Sequence, residues 1–386
     1  MKVLEATERF VFQSPRPRLL AVLATLMALK TGAWAVPNIH VLERLAQDPF
    51  KNPFPAPWDH YMLWNWLAPF LAWCVGALGK WPFFLFNLAL ALGFTAAVFW
   101  LLHRALPDRA ARAAWVLFAA LPVSTTAWFW VGSDGLTLLL MAVALAAPRA
   151  WPVALLAGVG LGMQHFEQAA VASAAALGAL VLSRLSGDAE RRHGPLWAGA
   201  VLLGVLAGRA GLSWLFARHG MSPQEGRAEW MANHLDILWT TFFLHPHTIL
   251  FGTLGAGWAV ALKALDRGRR AWPFWLALLG VLGLMPITAD HTRVAAVSSF
   301  LLLGAFWLMD EAFLAALPDR FVATLLLLWA VLPLTWVNMG VPRWSAFPYD
   351  VARAVNEVRP TFRVCPDDYL FQVHPGSCER EKPRRR

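Results

Sequence analysis

The sequence predicts an all-α, polytopic transmembrane bundle of about eleven spans, and three observations carry that expectation. Apolar runs recur from end to end: 58% of the residues are hydrophobic, only 15% are charged, and the mean hydropathy is +0.49. Lys and Arg gather in alternate linkers, as orientation in a membrane requires. There are 22 Trp residues, several of them at the ends of apolar runs, where interfacial belts place them. An outer-membrane barrel would instead show alternating strands of about ten residues, and no such segments occur.

The basic start carries Lys2, Arg9, Arg16 and Arg18, and the run 19–36 follows without a small-residue cleavage site, so it reads as a retained first span. Residues 37–81 form a long outer segment rich in Pro. Its apolar piece, 61–78, holds Trp64, Trp66 and Trp73 and is expected to lie along the interface. Ten more spans then alternate: 82–102, 113–131, 136–147, 152–163, 169–182, 196–216, 246–262, 273–287, 294–309 and 321–337. A polar loop, 217–245, separates the sixth of these from the seventh. This layout gives a membrane domain, 1–338, and an extracytoplasmic tail, 339–386. The N-terminus is cytoplasmic and the host is an inner or plasma membrane. Inner segments then hold sixteen Lys and Arg, against about six in the outer loops before the tail. The net charge of +9 thereby reads as an orientation signal and not as a nucleic-acid surface. In the tail, Cys365 and Cys378 either close a disulfide or stay free; Cys74 sits in the interfacial piece.

The spans 136–147, 152–163 and 169–182 are shorter than the roughly 20 residues of a full crossing. Their outer ends must sit below the surface, where polar backbone is tolerated only if covered by protein or lining a wet cavity. A recess open to the outer side is therefore expected, and four polar clusters face it. Asp59 and His60 end the first loop, and Asp134 sits in the turn Ser133-Asp134-Gly135. Gln164, His165, Glu167 and Gln168 join two short spans, and Asp290, His291, Thr292 and Arg293 join two more. Charged groups at such depth are costly and usually mark a pathway or a site. Each also has a plainer reading: a solvated loop for Asp59, a helix start for Asp134, a satisfied hinge for His165 and Glu167, a snorkelling end for Arg293. Arg209 lies within an apolar span among Ala and Gly and requires an anionic partner, a structural carboxylate or a ligand. Arg227 stands in the 217–245 loop, which suits a lid or a polar-substrate contact.

Pairs such as His165 with Glu167, or Asp290 with His291, offer N and O ligands. No His-x-x-x-His or paired cysteines support a closed zinc site, so no metal ligand set is assigned and a divalent cation is left open. There is no glycine-rich phosphate loop and no internal repeat.

A first span, an outer loop bearing an acid, an interfacial segment, and many spans with polar hinges on one side: this layout resembles the GT-C superfamily of membrane-embedded glycosyltransferases. The resemblance covers most of residues 19–337 in layout and centres on Asp59 as the first-loop acid. Asp59 stands alone where the family usually carries an acidic doublet. Polysaccharide polymerases and O-antigen ligases form a neighbouring resemblance. What it implies is a polyprenyl-phosphate or polyprenyl-diphosphate sugar donor and a glycan, lipid or protein acceptor on the extracytoplasmic face. Such transfer needs a base on the acceptor hydroxyl and positive charge on the departing phosphate. Asp59 or Glu167 would be the base, and Arg293 with His291 would hold the phosphate. Asp290 would orient His291 or bind sugar hydroxyls. The alternative class is a transporter or flippase for a lipid-linked or anionic solute, which broken helices and intramembrane charges suit equally.

Overall fold

A backbone in hydrocarbon must satisfy its own hydrogen bonds, so long apolar runs fold as helices. The computed structural model describes residues 2–30, 42–129, 132–187, 191–221, 227–332 and 334–344. The end of the first span, the start of the first loop, and the tail with Cys365 and Cys378 lie outside these residues.

The basic start folds as an amphipathic helix, α1 (Lys2–Gln13), followed by α2 (Arg16–Leu29). The first loop contributes α3 (Leu42–Gln47), a 3-10 segment (Pro57–Trp64) and α4 (Leu67–Cys74). At 8 residues, α4 is too short to cross a bilayer by itself. Next come α5 (Lys80–Ala105), α6 (Asp108–Ala120), α7 (Pro122–Phe129), α8 (Ser133–Ala146), α9 (Trp151–Gln164), α10 (Phe166–Leu185) and α11 (Pro195–Arg218). The region read as a polar loop holds two helices, α12 (Arg227–Asn233) and α13 (Leu235–Leu244). Leu235, Ile237, Trp239, Phe243 and Leu244 of α13 are exposed, so its apolar surface is much larger than a loop would carry. The chain continues through α14 (Pro246–Leu254), α15 (Gly257–Ala264), α16 (Trp272–Leu282), α17 (His291–Leu303), a π-helical extension (Gly304–Leu308), α18 (Glu311–Ala316) and α19 (Asp319–Val331). A hairpin of β1 (Leu334–Asn338) and β2 (Val341–Trp344) ends the described chain.

Four helical stretches are long and apolar enough to cross a membrane: Lys80–Ala105, Phe166–Leu185, Pro195–Arg218 and His291–Leu308. A fifth is the bent pair Asp108–Ala120 with Pro122–Trp128. The protein is thus a helical membrane protein, with fewer full-length spans by this measure than the eleven expected. The differences have local causes. Pro122 has no N–H to continue α6, and the chain bends by 60° there. Gly255, at φ +54°, ends α14 in a conformation that side chains resist, which splits the run 246–262. Helix α10, by contrast, reaches 20 residues because it starts at Phe166, inside the expected hinge. The last span stops at Val331, and the rest of its apolar run pairs as β1, with Met339 and Gly340 both at positive φ in the hairpin turn.

Helix α17 is the axis of the bundle: 89% of its most apolar window is buried, against 33–44% for the other three spans. Around it, α9 and α11 meet at backbone contact. A Cβ added at Gly162 would lie 2.1 Å from the Val205 carbonyl, and one at Gly204 2.1 Å from the Leu155 carbonyl. Arginines fasten the basic ends. Arg112 donates to the Val11 and Ser14 carbonyls and to Asp108, which also accepts from Arg16. Arg109 pairs with Asp319 and donates to the last carbonyls of α18. His193, between α10 and α11, is buried and donates from Nε2 to the Leu145 carbonyl at 2.9 Å. Burial pulls its pKa from 6.5 down to about 4, against the opposing pull of that carbonyl.

Two expectations follow. Gly162→Ala is predicted to destabilise the fold by about 1–3 kcal/mol, because neither helix backbone can yield; a thermal melt in detergent matching wild type would count against this contact. For His193, the unfolded chain binds the proton first, so stability is intact above pH 6.5 and is lost as pH falls towards 4. The loss is roughly 3 kcal/mol. His193→Gln keeps a donor but does not titrate, so its melting temperature is expected to fall less across that window. Parallel pH profiles of the two proteins would refute the assignment.

Candidate functional site

Two polar groups form within the bundle. The first is built on the hinge between α16 and α17. Pro286 stops α16's continuation as a short 3-10 turn, Met285–Ile287, and the chain extends through Thr288. Asp290 precedes α17 in the N-cap position, yet its carboxylate caps no backbone N–H. It accepts instead from Arg293 Nη1 at 3.1 Å and from the indole N–H of Trp336 on β1. Asp134, in the first turn of α8, is wholly buried and receives Arg293 through Nε and Nη2, the latter at 3.0 Å to Oδ1. Gly135 makes this placement feasible: a Cβ there would lie 3.1 Å from the Ala91 nitrogen, so α8 presses closely on α5.

The guanidinium is therefore shared by two carboxylates, one bound through its fork. Its forked face, expected to hold phosphate, is filled by Asp134. The triad carries one net negative charge when both acids are ionised. Burial pushes the Asp290 carboxyl above its ordinary range, although Arg293 pulls the other way. Thr292 joins the hinge to its surroundings, donating to the Gly252 carbonyl at 2.9 Å and accepting from the Val337 N–H at 3.0 Å. The Met339 N–H donates to the Ala289 carbonyl at 2.7 Å, so the hairpin is bound to the hinge at three places. His291 is wholly buried beside them; the Met285 carbonyl is near the ring, but neither ring nitrogen makes a hydrogen bond of acceptable geometry.

The second group lies where the first loop covers the α9–α10 hinge. Gln164, wholly buried at the end of α9, accepts the Ala68 N–H of α4 at 2.7 Å. That N–H belongs to the first turn of α4 and has no partner within its own helix. His165 takes the extended geometry that separates α9 from α10 (φ −158°, ψ 72°) and is buried. The Arg209 guanidinium carbon of α11 lies over Trp64, 3.2 Å from the ring centroid, and 5.2 Å from that of Phe166. His60 Nε2 is fixed between the Phe54 carbonyl (3.1 Å) and the Asn52 amide (2.9 Å). Asp59, on the 3-10 segment, and Glu167, in the first turn of α10, are half-buried, and among the described residues neither carboxylate has a hydrogen bond or ion pair.

The structure therefore brings Asp134, Asp290, His291 and Arg293 together; separately, Gln164 and Arg209 contact the first loop next to the His165 hinge, while His60 is held within the loop beside Asp59. Arg227 opens α12 and its side chain lies outside the described part. Trp64 and Trp336 were not distinguishable in sequence from the other tryptophans of apolar runs. Among the described residues no group of three or more His, Cys, Asp or Glu is arranged to hold a metal ion. No family model, curated protein or solved structure matches this chain.

Removing one member of the triad strands the others. Arg293→Met is expected to cost about 3–5 kcal/mol by leaving two carboxylates without their cation, and Asp134→Ala a similar amount. A double-mutant cycle between Arg293 and Asp134 should give a coupling of at least about 1 kcal/mol; additive losses would show that the pair is not energetically joined.

Proposed function

We propose that this chain is a membrane glycosyltransferase that moves a sugar from a polyprenyl-phosphate or polyprenyl-diphosphate donor to a glycan, lipid or protein acceptor. The observation that carries the proposal is the way the first loop closes on an intramembrane hinge. Gln164 ties α4 to the end of α9, and Arg209 ties Trp64 to α11. The loop acid, Asp59, stands on the same 3-10 segment as Trp64, and the hinge has its own acid, Glu167. These two carboxylates are half-buried and unpaired, the condition a general base needs. The likeness to GT-C enzymes rests on this layout.

In the reaction, one of these carboxylates takes the proton of the acceptor hydroxyl. The hydroxyl oxygen attacks the anomeric carbon, and the bond from that carbon to the lipid-phosphate oxygen breaks. The lipid phosphate leaves with the bond's electron pair. Arg293, already bound to Asp134 and Asp290, serves this scheme by holding Asp290 at the hinge. The same reading keeps the eleven-crossing layout, with a cytoplasmic N-terminus, an extracytoplasmic tail, and transfer on the outer face of an inner or plasma membrane.

A transporter for a lipid-linked or anionic solute is the second reading. The breaks between α6 and α7 and between α14 and α15, close to a buried ionic triad, favour it.

The test is sugar transfer from a panel of polyprenyl-linked donors by the purified full chain in nanodiscs. Asp59→Asn or Glu167→Gln, whichever removes the base, is expected to slow transfer by about a hundredfold to ten-thousandfold with an unchanged melting temperature. If wild type transfers no sugar from any donor while proteoliposomes move lipid or solute, the transporter reading replaces the enzyme.

A further inference from the structure

Helix α2 ends on a lysine that, among the described residues, no carboxylate accompanies. Lys30 is the C-cap of α2 and is 8% exposed. Its ammonium donates to the carbonyl of Leu332, at the end of α19, and lies over the Trp329 ring, 5.6 Å from the centroid. Among the described residues it has no ion-pair partner. It lines a narrow cleft of about 30 Å³ together with Thr125 of α7, Gly252 of α14, Thr292 of α17, Trp329 and Phe251. Phe251 is 40% exposed and Val331, next to Leu332, is 72% exposed. The cleft therefore borders apolar surface of the kind that faces lipid tails.

An ammonium withdrawn from water costs several kcal/mol unless it meets an anion or a full set of acceptors. One carbonyl and one aromatic face supply part of that compensation. An ammonium has three N–H donors, and one is used. Asp290 is only two residues from Thr292, but it is bound to Arg293 and Trp336. The cleft thus has a cation short of an anion and an apolar exit.

We propose that this cleft binds the phosphate group of a membrane lipid, with Lys30 taking the phosphate oxygens and the lipid tail leaving past Phe251 and Val331. The site goes beyond the glycosyl-transfer reading and stands without it. Within that reading, its occupant is the lipid phosphate that leaves the sugar.

The experiment measures binding to the full chain in detergent by native mass spectrometry and thermal shift. The probes are a polyprenyl monophosphate, the uncharged polyprenol, phosphatidylglycerol and inorganic phosphate. Polyprenyl monophosphate is expected to bind and to raise the melting temperature, and polyprenol is not. Lys30→Met should weaken binding about tenfold to a hundredfold, while Lys30→Arg retains it. Equal binding by phosphatidylglycerol, with the same dependence on Lys30, also fits and assigns the cleft to phosphate lipids in general. Binding of inorganic phosphate alone, unchanged binding in Lys30→Met, or equal binding of polyprenol overturns the proposal. Should Lys30→Met fail to fold, wild type decides: polyprenyl monophosphate must slow acetylation of the Lys30 amine and polyprenol must not. No protection overturns it equally. The two proposals fail separately. Binding that depends on Lys30 without sugar transfer drops the enzyme and keeps the cleft, and transfer with Lys30-independent binding does the reverse.

Discussion

The shared guanidinium of Arg293 is the contact on which the rest of the buried polar structure depends. It joins three parts of the chain far apart in sequence. Asp134 fixes the start of α8, Asp290 fixes the hinge before α17, and Trp336 brings β1 against the same carboxylate. Without the cation, two carboxylates would face each other at the ends of tightly packed helices. A buried ion pair seldom adds stability over well-packed apolar residues, because desolvation offsets its attraction. Its effect here is geometric. It selects one position for α17, which belongs to the most buried of the four long apolar stretches.

That selection works because the surroundings cannot adjust. Helices α9 and α11 touch through glycines at backbone distance, and Gly135 lets α8 lie against α5. Close-packed interiors transmit displacement and do not absorb it. The hinge at His165 is held in the same manner. Gln164 satisfies the free end of α4, and Arg209 lies over the Trp64 ring with Phe166 close by. Short helices that end inside the protein leave backbone groups in need of partners, and the first loop supplies some of them. The loop is thus part of the bundle, and Asp59 is carried on a supported segment.

The helical membrane class was legible because composition and apolar runs suffice for it, and the starts and ends of α5, α8, α9 and α11 fall within a few residues of the apolar runs. The breaks were less legible. Pro122 and Gly255 lie inside runs whose hydropathy does not change, so only their backbone chemistry marks the ends of α6 and α14. The strand β1 was hidden for a related reason: 334–337 is as apolar as the helix before it, and its β-form is fixed by pairing with residues the run does not include. At the candidate site, clustering of charges identified Asp134, Asp290 and Arg293, because ionisable residues stand out in apolar sequence. Which of them pair is a tertiary fact, and so is the capture of Asp290 by Trp336. Lys30 escaped notice because a lysine near the end of a first span ordinarily reads as a snorkelling anchor.

The ionisable groups divide by how well their charge is met, and that division assigns chemistry. Arg293, Asp134 and Asp290 satisfy one another, which suits positioning and leaves little capacity to bind a substrate anion. Asp59 and Glu167 have no partner among the described residues, so each can accept a proton without first breaking an ion pair. Lys30 is the complementary case, a cation with a carbonyl and a ring but no anion. A reaction that separates a lipid phosphate from a sugar needs both unmet kinds, a base and a cation, held apart so that they do not neutralise each other. Asp290, the carboxylate closest in sequence to the Lys30 cleft, is already occupied by Arg293. The same bridge that fixes α17 therefore leaves the lysine available to an anion from outside the chain.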